Sequence, residues 1–368
     1  MHAGIAIWAL LATAAEATSR TPNADAVAET EVERPPAERL APGTLTPEIR
    51  DWLRRAVEPT GTDTERMRRV LTALAARHFD YDNRYTGTAV DVFEQRRFNC
   101  LSLAHLVVAL GRELGVDTYY VRIEEFRSFH QRGDLVLVST HVAAGWGPPR
   151  DTQIVEFEET TDRERRAAYR ITDEQALGLH YANRGAELLR AGWPALAHAW
   201  LEQATAIDEG GAEAWVNLGV AERRLGDYPA AEAAYRRALA IDGDTLSAWR
   251  NLASLYQLQR DPAAARKILD LLDRPGNRNP FTFLALGDLC AGTGALDDAE
   301  RFYRRANQLA HHHPQILAAR GELALARGDR EAAATWLARA RRADPAEPRV
   351  AALQQTLEQK LEQAVTAQ

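Results

Sequence analysis

Three residues of this chain have the types and spacing for nucleophilic acyl transfer: Cys100, His141 and Glu156. Cys100 stands in Phe98-Asn99-Cys100-Leu101-Ser102-Leu103-Ala104-His105-Leu106, where polar turn residues give way to an apolar run of helical period. The thiol is therefore expected at a helix N-terminus, where the helix dipole favours a thiolate. His141 falls in the strand-like run Leu135 to Trp146, and Glu156 in the next, Thr152 to Glu158. In such a set the imidazole takes the thiol proton, and the carboxylate fixes the imidazole's tautomer and steadies its charged form. Asp151, in the turn ten residues after His141, is an alternative third member. The backbone N–H of Cys100 can form half an oxyanion hole, with Gln95, five residues earlier, as the candidate for the other donor.

The remaining residues of this kind read as packing or surface. His105 is off the face of Cys100 and is expected as a partly buried helix residue, His130 falls in the polar loop Arg127 to Gly133, and Cys290 occupies a core-facing position. His311, His312 and His313 are consecutive in a loop before Pro314, and adjacent side chains do not converge on one ion, so no metal site is expected there. Glu156, Glu158 and Glu159 lack a calcium-loop spacing, and no glycine-rich phosphate loop occurs, so no cofactor is expected. The two cysteines, 190 residues apart, read as separate thiols.

Length and charge set further bounds. The 368 residues suffice for two folded units, and 45 basic against 52 acidic side chains leave a net charge of −7, which offers no concentrated positive field for nucleic acid. Ala3 to Ala15 form an apolar run broken only by Thr13, followed by small-residue cleavage options, so 1–17 reads as an export signal and the protein as periplasmic, with a cytoplasmic protein as the alternative. Thirteen residues are too few to span a membrane, where about 20 are needed. Residues 18–47 carry five prolines among polar residues and read as a disordered linker.

The elements that must position the three residues can be read from periodicity. Helices are expected over Glu48 to Val57, with Ile49, Trp52, Leu53 and Val57 on one face, and over Asp63 to His78, with Met67, Val70, Leu71 and Leu74 inward. The Cys100 helix runs to Leu114 and is stopped by Gly115; strands Val116 to Ile123, Leu135 to Trp146 and Thr152 to Glu158 follow. This is an α+β domain over 48–175. Downstream a 34-residue period takes over: Gly185, Gly219, Ala253, Gly287 and Gly321 form one row, Ala197, Ala231, Ala265, Ala299 and Ala333 a second, and Tyr181, Trp215, Trp249, Phe283 and Leu317 a third. A fourth, Ala204, Ala238, Leu272, Ala306 and Ala340, departs from alanine once. Small residues let paired helices approach while the large ones fill the gaps between pairs.

The rows over 178–347 resemble five tetratricopeptide repeats, most closely at Trp215-Val216-Asn217-Leu218-Gly219 and Ala231-Glu232-Ala233-Ala234-Tyr235, while Arg274-Pro275-Gly276 departs in the third. A helix within 348–368 is expected to cap this all-α solenoid. The resemblance implies that Asn183, Asn217 and Asn251, again 34 apart, line a groove for a protein or extended peptide, with Arg190, Arg223, Arg224 and Arg250 near it. The run Val92 to Leu103, followed by Ala109 to Val116, resembles the transglutaminase-like superfamily, of papain-like fold, over 65–160. That resemblance implies a nucleophilic role for Cys100 and places the superfamily's His at His141 and its Asp at Glu156. Here Glu replaces the usual Asp, and Asn99 replaces the glycine often found before the Cys. Two functions follow: a cysteine-dependent acyl-transfer enzyme, hydrolysing peptides or amides or crosslinking glutamine, with a partner-binding repeat domain; or a non-catalytic interaction scaffold with a degenerate transglutaminase-like domain. The oligomeric state is not set by sequence.

Overall fold

Thr46, Thr62 and Thr88 each open a helix by accepting a backbone N–H of the first turn. They start α1 (Pro47–Ala56), α2 (Asp63–Ala75) and α3 (Ala89–Gln95), the last absent from the sequence reading. The computed structural model describes residues 35, 41–82, 84–124, 130–132, 135–137, 141–155, 167–243, 245–259, 280–292 and 294–366. The expected leader 1–17, Glu156, Ala265, Leu272 and the Arg274-Pro275-Gly276 segment lie outside them. Packed chain begins ahead of α1: Leu45 is buried, and the Ala89 N–H donates to the Pro42 carbonyl.

Two short parallel strands, β1 (Asp80–Tyr81) and β2 (Arg97–Phe98), set Tyr81 beside Phe98 and lead directly into α4 (Cys100–Glu113). Helix α4 is buried from Leu101 through Gly111. Its Leu103, Leu106, Val107 and Leu110 share a core with α1, α2 and one face of an antiparallel sheet. That sheet has the order β7 (Gln153–Ile154), β6 (His141–Trp146), β3 (Thr118–Glu124), β8 (Ala167–Ile171). Tyr120, Val142, Ala144 and Trp146 face α4, while Tyr119, Val121, Ile123, Ala143 and Ile154 form a second cluster. The expected single strand Leu135 to Trp146 is divided, because β5 (Leu135–Leu137) pairs with β4 (His130–Arg132) whereas β6 pairs with β3 from Ile123↔His141 to Thr118↔Trp146. His130, expected in a loop, opens β4.

At Gly111 the helix lies close against the start of β3. A Cβ there would collide with the Thr118 methyl and crowd the Met67 sulfur, and the Thr118 hydroxyl donates to the Val108 carbonyl at 2.7 Å. Gly115 then reverses the chain at φ +71°, as its expected stop role requires.

The chain divides into two compact units between Ala234 and Tyr235, so the first repeat helices lie in the same unit as Cys100. In the first unit α5 (Asp173–Arg190) pairs with α6 (Pro194–Ile207), and α7 (Ala212–Leu225) is followed by α8 (Tyr228–Ile241), which carries the division. Bidentate Arg112–Asp173 and the Arg122–Glu213 ion pair fasten α5 and α7 to α4 and β3. The second unit holds α9 (Leu246–Leu258), α10 (Pro280–Gly292), α11 (Leu296–Leu309), α12 (Pro314–Ala326), α13 (Arg330–Ala343) and α14 (Pro348–Thr366). The periodic alanines at 197, 204, 231, 238, 299, 306, 333 and 340 are fully buried. Gly185 and Gly287 admit Leu201 and Tyr303 against the opposing helix of their own pair. Trp215 and Trp249 repeat one bond as well, each indole N–H donating to a carbonyl six residues back. Among the described residues no helix is long and apolar enough to cross a membrane.

The Gly111 contact yields a direct test. Gly111→Ala should lower the unfolding free energy by about 2 kcal/mol through overpacking, read as an earlier urea midpoint; an unchanged midpoint would show that α4 can lift from β3 without cost.

Candidate functional site

The first residue of α4 is Cys100, and the N-cap is Asn99, whose side chain accepts the Ser102 N–H at 2.8 Å while its own N–H donates to Ser102 Oγ at 2.8 Å. Asn99 Nδ2 also donates to Thr86 Oγ1 at 2.6 Å, inside the protein. Asn99 therefore caps the helix that begins with Cys100 and ties it to the preceding loop. With no acidic residue in the first turn, the positive end of the helix dipole acts on the thiol unopposed from within that turn.

His141 opens β6, and its Nδ1 lies 3.4 Å from Cys100 Sγ. The sulfur and imidazole are thus in hydrogen-bond contact although 41 residues separate them. Nε2 is then the ring atom that an orienting carboxylate must take. Cys100 is partly exposed, whereas Cys290 is buried, as expected of a filler.

The other sequence candidates are placed differently. Glu156 lies outside the described residues. Asp151 sits in the turn beyond Trp146, at the opposite end of β6 from His141, and accepts from Gln153 Nε2 at 3.2 Å. A six-residue strand extends about 17 Å between its end residues, so Asp151 is out of reach of the imidazole. Gln95 closes α3 with an exposed side chain that donates to Asp91 at 3.4 Å, one turn back on its own helix.

Tyr81 is a neighbour that the sequence reading missed. Its hydroxyl is 3.6 Å from Cys100 Sγ, and it lines a cleft of about 420 Å³ with Asp80, Asp82, Arg84 and Arg97. The signal that could have found it is the parallel β1–β2 pairing, two residues long and too short to stand out by pattern. Burial pushes the Asp82 carboxyl up, but hydrogen bonds from Arg97 and Arg84 outweigh this and hold it below its ordinary value.

His105, expected to be partly buried, is fully enclosed: its Nδ1 meets the Tyr120 hydroxyl at 2.9 Å and its ring lies 5.3 Å from that of His180 on α5. Burial pushes His105 well below its ordinary value, reinforced by His180. Burial, with Arg184 beside it, lowers His180 to about 4.

Among the residues expected in the repeat groove, Asn183 and Asn217 are half-buried in the first unit and Arg190 is exposed. Arg224 donates to the Leu189 carbonyl at 2.6 Å, which closes the end of α5 and is a structural task. Arg223 is half-buried. In the second unit Asn251 is buried with its Nδ2 unpartnered among the described residues, and burial lowers the neighbouring Arg250. There too, Arg349 of α14 makes paired hydrogen bonds to Asp288 and Glu322, residues that stand 34 apart on α10 and α12. Burial alone would lower the Arg349 guanidinium, yet the two carboxylates raise it well above its ordinary value. Of the consecutive histidines, the His313 ring packs edge-on against Phe281, 4.9 Å away, and the His311 and His312 rings lie 6.4 Å apart.

Two segments, 212–270 and 291–357, match the tetratricopeptide repeat family. No curated protein matches the chain. Similar solved structures include TTC0263 of Thermus thermophilus, at 22% identity over 50% of this chain and 98% of that one, TM-score 0.39. YrrB, described as a tetratricopeptide protein with an unusual peptide-binding site, has 18% identity over 48% and 92%, TM-score 0.31. Yeast Tom70 has 12% identity over 51% and 47%, TM-score 0.41.

The buried histidine gives a pH prediction. The unfolded chain protonates His180 near 6.5, while the fold resists until about 4. Its contribution is therefore complete above pH 6.5 and falls as pH drops to 4, by about 3 kcal/mol. Urea titrations across that window should show a shallower fall for His180→Phe than for the parent chain; equal slopes would assign the acid sensitivity elsewhere.

Proposed function

We propose that the tetratricopeptide repeats bind a protein or peptide partner and that the N-terminal domain adds cysteine acyl-transfer chemistry to that scaffold. The family matches cover repeats only. They support the interaction role, which the non-catalytic alternative shares, and it is the better supported half. The single observation that favours catalysis is the 3.4 Å contact between Cys100 Sγ and His141 Nδ1 at the start of a buried helix.

In the catalytic reading His141 removes the thiol proton and holds the thiolate as an ion pair. The thiolate attacks an amide or peptide carbonyl, and the tetrahedral oxyanion forms beside the Cys100 N–H, one of the first-turn donors that the helix leaves without an internal partner. Imidazolium then protonates the leaving amine, and water or a second amine resolves the thioester. The transglutaminase-like assignment rests on the same residues together with the helix-then-sheet order.

Alkylation tests the catalytic half. Iodoacetamide should modify Cys100 at a rate that persists well below pH 8, where an ordinary thiol with a pKa of about 8.5 has lost its thiolate. His141→Ala should abolish that plateau. A Cys100 as slow as Cys290 at every pH leaves the scaffold reading alone. For the repeats, peptides selected on the full chain should lose about tenfold in affinity to Asn183→Ala/Asn217→Ala, the cost of lost hydrogen bonds to an extended backbone; retained affinity would move the contact off α5 and α7.

A further inference from the structure

We infer that the cleft beside Cys100 seats a carboxylate carried by the acyl donor, held by the outward edges of Arg84 and Arg97. The inference rests on Cys100 being the nucleophile and names the substrate class of that site. Tyr81 joins the two features: it lines the cleft, and its hydroxyl lies 3.6 Å from the sulfur. Arg97 lies in the strand that runs into the N-cap of α4, so the cleft and the thiol are fixed by one stretch of backbone.

The seat is built from beneath. Asp82, with a side chain only 11% exposed, accepts from Arg84 Nε at 3.2 Å and from the Arg97 guanidinium. Its acceptor capacity is thereby used on the protein, and both cations are held in place. A guanidinium carries five N–H donors, so among the described residues each arginine keeps most of its fork for a ligand, and the two side chains are 67% and 47% exposed. Arg97 is steadied further by the Tyr85 ring, 5.6 Å from its centre. Pre-oriented guanidinium forks match the planar carboxylate and lose little entropy on binding it.

Asp80 occupies the same wall, exposed and opposite Arg97 in the β1–β2 register. Its charge opposes a second anionic group, which favours a donor with one localised carboxylate, such as an amino-acid side chain or terminus, over a polyanion.

Paired alkylating reagents read this preference without a known substrate. In the full chain, Cys100 is alkylated with iodoacetate, which carries the carboxylate, and with iodoacetamide, which does not, and the ratio of the two rates is compared among variants at low salt. An effect on the thiol itself cancels in the ratio, and so does the constant contribution of His141. Arg84→Gln should lower the ratio about two- to threefold and Asp80→Asn should raise it by a similar factor, both fading at high ionic strength. Both side chains are exposed and Asp82 keeps Arg97, so neither change leaves a buried charge unpaired. A ratio indifferent to both substitutions overturns the carboxylate seat and leaves the nucleophile standing. A Cys100 inert to both reagents near pH 7 overturns the catalytic reading and this inference with it.

Discussion

The N-terminus of α4 held against the first residue of β6 is the constraint on which the site depends. The helix is enclosed from Leu101 through Gly111, so the place of its first residue is set by the core and not by local loop preferences. Where Gly111 meets Thr118 the packing leaves no room for a Cβ, and at the other end Asn99 holds the first turn closed. The sulfur and the imidazole therefore meet because two faces of one apolar core meet. The 3.4 Å contact between groups so far apart in sequence is thus a product of tertiary packing.

Charged groups in the two units are spent differently. In the second unit Arg349 is enclosed by Asp288 and Glu322, so its fork is consumed by the fold and fastens α14 to α10 and α12. In the first, Asp82 is the enclosed partner and the two guanidiniums face outward. Burying the anion beneath exposed cations leaves binding capacity at the surface; burying the cation between anions removes it. The difference explains why the polar cluster near Cys100 reads as a ligand wall and the larger cluster in the second unit reads as a fastening.

Features with long periods were legible in sequence. Among the described residues the small-residue rows located the helix pairs because they are buried positions, while the large-residue row is buried at Tyr181, Phe283 and Leu317 and half-buried at Trp215 and Trp249; α1, α2 and α4 announced themselves through caps and apolar faces. Cys100 and His141 were legible as types on a helix and a strand. Short elements were not: α3 has seven residues, β1 and β2 two each, and β8 is a five-residue strand whose Tyr169 is 42% exposed. Such segments take their conformation from pairing partners, which a local pattern cannot contain. Tyr81 and the cleft were missed for that reason. His105 was misjudged because its enclosure comes from Tyr120 and His180, on elements 15 and 75 residues away.

The same non-local packing decides what the repeats are to the first domain. Glu187 on α5 is largely buried; burial raises its carboxyl while Arg184 and the Thr86 hydroxyl oppose that rise. Thr86 in turn accepts from Asn99, the cap of the helix that begins with Cys100. Thr86 thus has a donor to spend on Glu187 and an acceptor to spend on Asn99, and both partners need it because each is inside the protein. Arg184 also reaches the rings of Tyr85 and Trp200, which belong to opposite sides of the expected boundary. Ending the chain near residue 175 would take the His180 ring from His105 and the Glu187 carboxylate from Thr86. Helix α5 is consequently both the first helix of the repeats and a wall of the domain that holds Cys100, and the two parts of the molecule share one structural element instead of being joined by a linker.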